Sequence, residues 1–247
     1  MNDHLDEAER PRSGEVHAWV AALDRADDEV DRSAPLLSSE ESRRSDRFRH
    51  RRHRDRYVIG RATLRRLLAA YLGGDPATLD LRPGPFGKPE LAGVQSGGPL
   101  YFNLSHSNGV AAYVFTGEGE IGVDVEERRA IPEPEDLAER YFSPQETLAL
   151  RAQPARSRAD AFLRGWTRKE AFLKARGDGL QFPLDRFSVS LAPGEPARLL
   201  GIDGDPRASN RWTIAELPMG DGYYAAVAVH GRISRIVSRP APDPWPS

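Results

Sequence analysis

Apolar and polar positions follow two rhythms along this chain, one of period two in short stretches and one of helical period in two long ones. Val16 to Leu23 (VHAWVAAL) predicts a first strand, followed by a polar connection. Gly60, Leu64, Leu67, Leu68 and Tyr71 then recur at i, i+4, i+7, i+8 and i+11. That spacing predicts one long basic helix from about Ser39 to Leu72 with a single buried face, ended by GGDP at 73–76. A Gly/Pro-rich loop from Arg82 to Pro99 holds GPFGKPEL, after which LYFNLSHS and GVAAYVFT read as strands. GEGE at 117–120 turns the chain into IGVDVEERR, a further strand.

The second half repeats this order. Ser143, Pro144 and Glu146 in SPQE form a capping-box pattern that starts a helix. Another helix spans about Ser157 to Arg176 and stops at the glycines of GDG, 177–179. FSVSL, ARLLGI, RWTIAEL and YYAAVAVH read as strands, with Asp221–Gly222 as a turn signal before the last. The proline-rich RPAPDPWPS reads as a disordered tail. Strands, helix and strands in each half give an α+β class, not β-α-β alternation, and the element order fits two pseudo-repeats. The expected division is a polar segment at 1–14, an N-terminal half at 15–118, a C-terminal half at 119–238 and the tail at 239–247. A ligand site belongs in the cleft between halves.

Composition narrows the chemistry. A chain of 247 residues can bury a core, and with no cysteine it excludes disulfides, thiolate nucleophiles and cysteine metal sites. The polar N-terminus and the lack of any membrane-length apolar run predict a soluble, cytoplasmic protein. Charge is nearly balanced, at 35 basic against 37 acidic residues, so bulk charge does not make it a polyanion binder. Only three of the basic residues are lysine, Lys88, Lys169 and Lys174, and each falls in a segment that carries candidate chemistry. Eleven arginines lie between Arg43 and Arg66 with His50 and His53 among them. Without a helix-turn-helix, zinc or RNP-type motif and with few interleaved aromatics, they predict a solvated face, a phosphate-rich cofactor or an acidic protein partner, and no nucleic acid.

In IGVDVE, Asp124 and Glu126 share one strand face about 7 Å apart, where like charges repel unless a cation holds them. Magnesium suits such a pair, since it takes a few carboxylates, waters and phosphate oxygens. Pairing with Arg128 and Arg129 on a solvated face is the bland alternative. In DAFLRGWTRKEAFLKARGDGL, Phe162, Trp166 and Leu173 share a stripe with Lys169, and Glu170 and Lys174 lie along its edge. A carboxylate and ammonium groups on one edge are the parts needed to hold a magnesium-bound pyrophosphate. Lys169 snorkelling past the core and Glu170–Lys174 as a surface pair are the plain alternatives. Asn103, Ser105, His106 and Ser107 read as phosphate contacts, and Lys88 as a point charge for another phosphate.

FGKPEL, FNLSHSNGVAAYVF, IGVDVE and WTRKEAFLKARGDGL, in this order and spacing over about residues 36–192, resemble the 4′-phosphopantetheinyl transferases of the surfactin-synthetase type. The resemblance implies two similar α+β halves related by a pseudo-twofold axis, coenzyme A in the cleft and Mg2+ on its pyrophosphate. It implies Asp124, Glu126 and Glu170 as the magnesium shell. Glu170 is implied as base or positioner of the nucleophile, with Lys174 on the α-phosphate. Lys88, Ser105 and His106, with Lys169, are expected on coenzyme A, and Arg44 and Arg56 at its adenosine end. Glu146 matches a glutamate near the active site, although its capping box explains it equally. Glu41 stands where better-known members carry a basic residue. The implied partner is an apo acyl or peptidyl carrier protein of secondary-metabolite or related synthesis, whose serine attacks the β-phosphate and releases adenosine 3′,5′-bisphosphate. A monomer is expected, since one chain supplies both sides of the cleft. The competing readings are a non-catalytic coenzyme A or nucleotide-binding module and a magnesium-dependent phosphohydrolase.

Overall fold

The computed structural model describes residues 9–84, 87–92, 98–177, 179–243 and 245. Residues 1–8 of the expected polar segment, Phe86 of FGKPEL and Asp178 of GDG lie outside the described residues. The elements run β1 (Glu15–Ala22), α1 (Asp27–Ser33), α2 (Ser39–Ser45), α3 (Arg51–Leu72), β2 (Leu81–Pro83), β3 (Pro89–Leu91), β4 (Tyr101–Ser107) and β5 (Val110–Thr116). Next come β6 (Ile121–Glu127), α4 (Pro134–Tyr141), α5 (Pro144–Arg151), α6 (Ala155–Arg176), β7 (Phe187–Val189), β8 (Leu199–Ile202), β9 (Trp212–Glu216), β10 (Tyr223–His230) and β11 (Arg235–Pro240).

Two sheets lie between two long helices, which bears out the α+β class. The first sheet has the order β11-β1-β5-β4 and the second β6-β10-β9. Alternation along β1 and β5 gives the first sheet two buried faces. Trp19, Ala21, Ala111, Tyr113 and Phe115 pack under Leu64, Leu67, Leu68 and Tyr71 of α3, the stripe that the spacing predicts. Val16, Ala18, Ala112 and Val114 meet Ile121, Val123, Val125, Val227 and Val229 of the second sheet. Ala226 and Ala228 on the far face of that sheet pack on Ala171, Phe172 and Ala175 of α6.

Three expectations change. The periodicity predicts one helix over 39–72, but the structure has α2 and α3, joined by a turn that leaves His50 extended. No glycine or proline marks the break. It is fixed by a tertiary contact, the buried pair of Glu41 on α2 with Arg65 on α3 at 2.7 Å, which forms only when the chain doubles back. The polar connection after β1 contains α1, whose Val30 is buried. Nor is the start of the tail disordered. Residues 235–240 form β11, parallel to β1, and Ala241 N–H donates to Val20 O at 2.8 Å. The chain's last strand therefore returns to the sheet formed by its first. Pro240 is tolerated because β11 is an outer strand and its missing donor faces no neighbour.

Gly122 decides how closely α6 approaches β6. A Cβ there would stand 2.2 Å from Ala171 O and 2.3 Å from Ala175 N, both backbone atoms of α6. Only glycine lets the helix lie this close, so Gly122→Ala must push α6 off the sheet. The expected cost is about 2–3 kcal/mol, a fall in melting temperature of about 4–12 °C, with loss of activity because α6 carries half of the candidate site. An unchanged melting curve would show that the contact does not bind helix to strand.

Candidate active site

A cleft of about 1470 Å³ lies between the two sheet–helix units. Its walls include Lys88, Ser105 and His106 from the first unit, and Asp124, Glu126, Glu170 and Lys174 from the second. Strand alternation puts Asp124 and Glu126 on the α6 side of β6, and the four-residue spacing on α6 brings Glu170 and Lys174 to one strip facing them. Lys174 Nζ donates to Asp124 Oδ1 at 2.7 Å and to Ser105 Oγ at 3.0 Å, and Ser105 Oγ itself donates to Asp124 Oδ1 at 3.0 Å. The triangle links both units.

Asp124 is 6% exposed, and its Oδ2 is buried with no hydrogen-bond partner. Burial pushes its carboxyl up, against the pull of Lys174. Glu170 is pushed up as well, by burial first and then by the charge of Asp124. His106 is exposed on the cleft wall, and partial desolvation there, with the charges of Lys174 and Arg56, holds it below the usual histidine range. Glu126 pairs with Arg129 at 2.8 Å, one of the arginines weighed from the sequence. Lys88 donates to Ile121 O at 3.1 Å and Lys174 O at 3.4 Å, so a loop lysine of the first unit is tied to two backbone carbonyls of the second.

Arg44, His53, Arg56, Tyr57 and Arg61 also line the cleft. Arg44 and Arg61 lie over the Tyr57 ring at 5.5 and 5.8 Å from its centre. Arg56 is held by Asp24 through two hydrogen bonds of 2.6 and 2.7 Å, and Arg56 and Arg52 together keep the Asp24 carboxyl far below its usual range. Asp24, Tyr57 and Arg61 escaped the sequence reading. Tyr57 and Arg61 sit in the arginine-rich stretch, where no single residue stands out. Their signal is tertiary: Tyr57 OH and Arg61 Nη1 are buried on the cleft wall without partners. Glu41, in place of a basic residue, caps α2 through Ser38 and pairs with Arg65.

The family enters through β6 and α6. A profile described as the 4′-phosphopantetheinyl transferase superfamily matches residues 120–228, the span that carries Asp124, Glu126, Glu170 and Lys174. The 4′-phosphopantetheinyl transferase HetI of Nostoc sp. PCC 7120 is 38% identical over 219 residues, 89% of each chain. The chain belongs to this superfamily. It is an enzyme of the transferase class that the motifs imply. The 4′-phosphopantetheinyl transferase Sfp of Bacillus subtilis is 30% identical over 66% of this chain and 70% of its own. The holo-[acyl-carrier-protein] synthase (AcpS) of Thermotoga maritima superposes with a TM-score of 0.36 at 25% identity, over 46% of this chain and 63% of that one, too partial a likeness to carry an argument.

Within this transferase, Lys169 is corrected from cleft residue to core residue. Its side chain is fully buried, with Nζ on both Glu146 oxygens at 2.6 and 2.8 Å and on Phe187 O at 2.6 Å. It does not snorkel, because both flanks of α6 are covered: Phe172 and Ala175 pack on the sheet, and Phe162 packs with Phe142 and Leu150 of the α4–α5 region. Glu146 is equally enclosed. Besides Lys169 it accepts Ser143 N–H, closing the expected capping box, and Val189 N–H of β7. The pair joins α5, α6 and β7 behind the cleft, and of the three lysines only Lys88 and Lys174 reach the cleft wall.

Proposed function

We propose that the chain transfers the 4′-phosphopantetheine arm of coenzyme A to a serine of an apo acyl or peptidyl carrier protein, as enzymes of the surfactin-synthetase type do, with Mg2+ as cofactor. The observation that carries this reading is the triangle of Asp124, Lys174 and Ser105 in a cleft that Glu126 and Glu170 also line. The names of HetI and Sfp support the same transfer.

The donor set fits magnesium. Asp124 Oδ2 is a buried acceptor without a donor, and Glu126 and Glu170 are the other acids on the same wall. Among the described residues no three acidic or histidine side chains are grouped to hold an ion by themselves, so water and substrate oxygens would have to complete the shell. When bound, the ion supplies positive charge to the pyrophosphate. Lys174 neutralises the departing phosphate, while Lys88, Ser105 and His106 orient the pyrophosphate. Arg44, Arg56, Arg61 and Tyr57 receive the adenosine end, with Arg61 Nη1 and Tyr57 OH as buried donors that no protein group takes up. The serine oxygen bonds to the β-phosphorus, the bond to adenosine 3′,5′-bisphosphate breaks, and the serine proton passes to Glu170 or to a water that Glu170 holds. One chain supplies both walls, so the active unit is a monomer, which light scattering checks.

The experiment is intact-protein mass spectrometry of an apo carrier protein incubated with the enzyme, coenzyme A and Mg2+, beside an EDTA control. A gain of one phosphopantetheine arm, abolished by EDTA, is expected. Phosphopantetheine released without a carrier would instead indicate a phosphohydrolase, and intact coenzyme A with every carrier tried a binding module. Glu170→Gln is expected to lower turnover by about 10²-fold or more, the low end for a general base, and unchanged turnover would remove Glu170 from the mechanism.

A further inference from the structure

β4 and β6 are edge strands of different sheets that lie side by side without a backbone ladder between them. Asn103, Ser105 and Ser107 alternate along β4, so their side chains share the face turned to β6. Val123 N–H donates to Asn103 Oδ1 at 3.1 Å, and Glu127 N–H donates to Ser107 Oγ at 3.0 Å. Between them Ser105 donates to the Asp124 side chain. The sequence pattern N-x-S-x-S thus grips one strand at three successive points. Its two outer points are backbone N–H groups one residue before Asp124 and one residue after Glu126.

We propose that Asn103 and Ser107 are positioning residues for the transfer: they hold the edge of β6 so that Asp124 and Glu126 keep their place opposite Lys88, Ser105 and His106. This rests on the function proposed above, and it departs from the reading of Asn103 and Ser107 as phosphate contacts. An edge strand has one row of N–H groups with no strand to receive them. In β6 the flanks of the carboxylate pair receive side-chain acceptors instead, so the spacing between the two walls is set by side chains and not by a continuous sheet. Asn103 is 4% exposed, so its loss takes from the Val123 N–H the acceptor that holds it in a buried site. β6 stays paired with β10 along its other edge, so a lost point of grip lets the edge facing β4 shift and carry both carboxylates with it, and a small misplacement of reacting groups costs rate.

The test compares Asn103→Ala, Ser107→Ala and Ser107→Thr by amide hydrogen exchange and by steady-state transfer kinetics. Exchange at Val123 is expected to quicken at least tenfold in Asn103→Ala, and at Glu127 in Ser107→Ala. In both, kcat should fall about tenfold or more while KM for coenzyme A stays within twofold, and Ser107→Thr, which keeps the hydroxyl, should restore both exchange and kcat. Quicker exchange with an unchanged kcat would overturn the proposal, leaving packing alone. A raised KM at constant kcat would return these residues to phosphate contact, and a kcat loss that Ser107→Thr does not rescue would also overturn it. Ser107 lies at a strand end and is half-buried, so its variants keep the test open if Asn103→Ala does not fold. Failure of the unaltered enzyme to modify any carrier would refute the proposed function, while the exchange arm would still read the grip on β6.

Discussion

Asp124→Asn is expected to lower phosphopantetheinyl transfer by about 10²–10³-fold, the loss seen when one preorganised electrostatic group is removed from a reacting centre, without lowering the melting temperature at neutral pH. Asn keeps the size of the side chain and one acceptor for Ser105, but it removes the charge that Lys174 meets at 2.7 Å and that a cation on the free Oδ2 would need. Stability moves the other way. Burial raises the Asp124 carboxyl above its unfolded value, so the folded state holds the proton more tightly than the unfolded chain. As pH rises from the unfolded value through the raised folded one, that difference removes stability, and above this window the loss is complete. Asn carries no such loss. The melting temperature of the variant should therefore equal or exceed that of the unaltered enzyme at pH 7, with the gap closing as pH falls into the acid range. Lys174 is partly exposed and can be resolvated once its partner is neutral. Transfer kinetics by mass spectrometry and melts from pH 4 to 8 check both halves. Retained turnover would exclude Asp124 from the chemistry, and a large drop in melting temperature would mean that the pair with Lys174 is structural.

Lys169→Met should have the largest effect on stability, a loss of about 3–5 kcal/mol, because it leaves the Glu146 carboxylate buried without its cation. Neither side chain has any exposed surface. Burial already holds the Lys169 ammonium below the usual lysine range despite Glu146 beside it, so desolvation is a heavy cost within this pair. A pair of that kind is expensive to break and cheap to replace. Lys169→Met combined with Glu146→Gln should accordingly recover at least half of the loss, since Gln still offers an oxygen to Ser143 or Val189 N–H. Urea unfolding of the two single variants and the double variant measures the coupling. Additive losses would mean that the two residues act separately. The activity readout separates this role from the catalytic one: the double variant should transfer at a rate within a few-fold of normal, because neither side chain reaches the cleft.

Much of the candidate site was legible because its spacing is local. Two residues apart on a strand means one face, which brings Asp124 and Glu126 together in IGVDVE; four apart on a helix means one strip, which brings Glu170 and Lys174 together. The cap at Ser143–Glu146 and the stripe from Leu64 to Tyr71 follow from the same rules, since each is settled within a few turns of its own element. Lys169 shows where that logic stops. The spacing put it in an apolar stripe, but whether that stripe met a cofactor or a core depended on α5 and β7, which cover it from 23 and 18 residues away in the chain. The sequence alone therefore determined most of the strands and long helices, the acids that share a face of the candidate site, and the class of chemistry. Tertiary structure decided which lysine is buried, where the arginine-rich helix breaks, why residue 122 must be glycine and what Asn103 and Ser107 hold. Periodicity records which way a side chain points from its own element. What it meets there depends on chain segments brought in by packing.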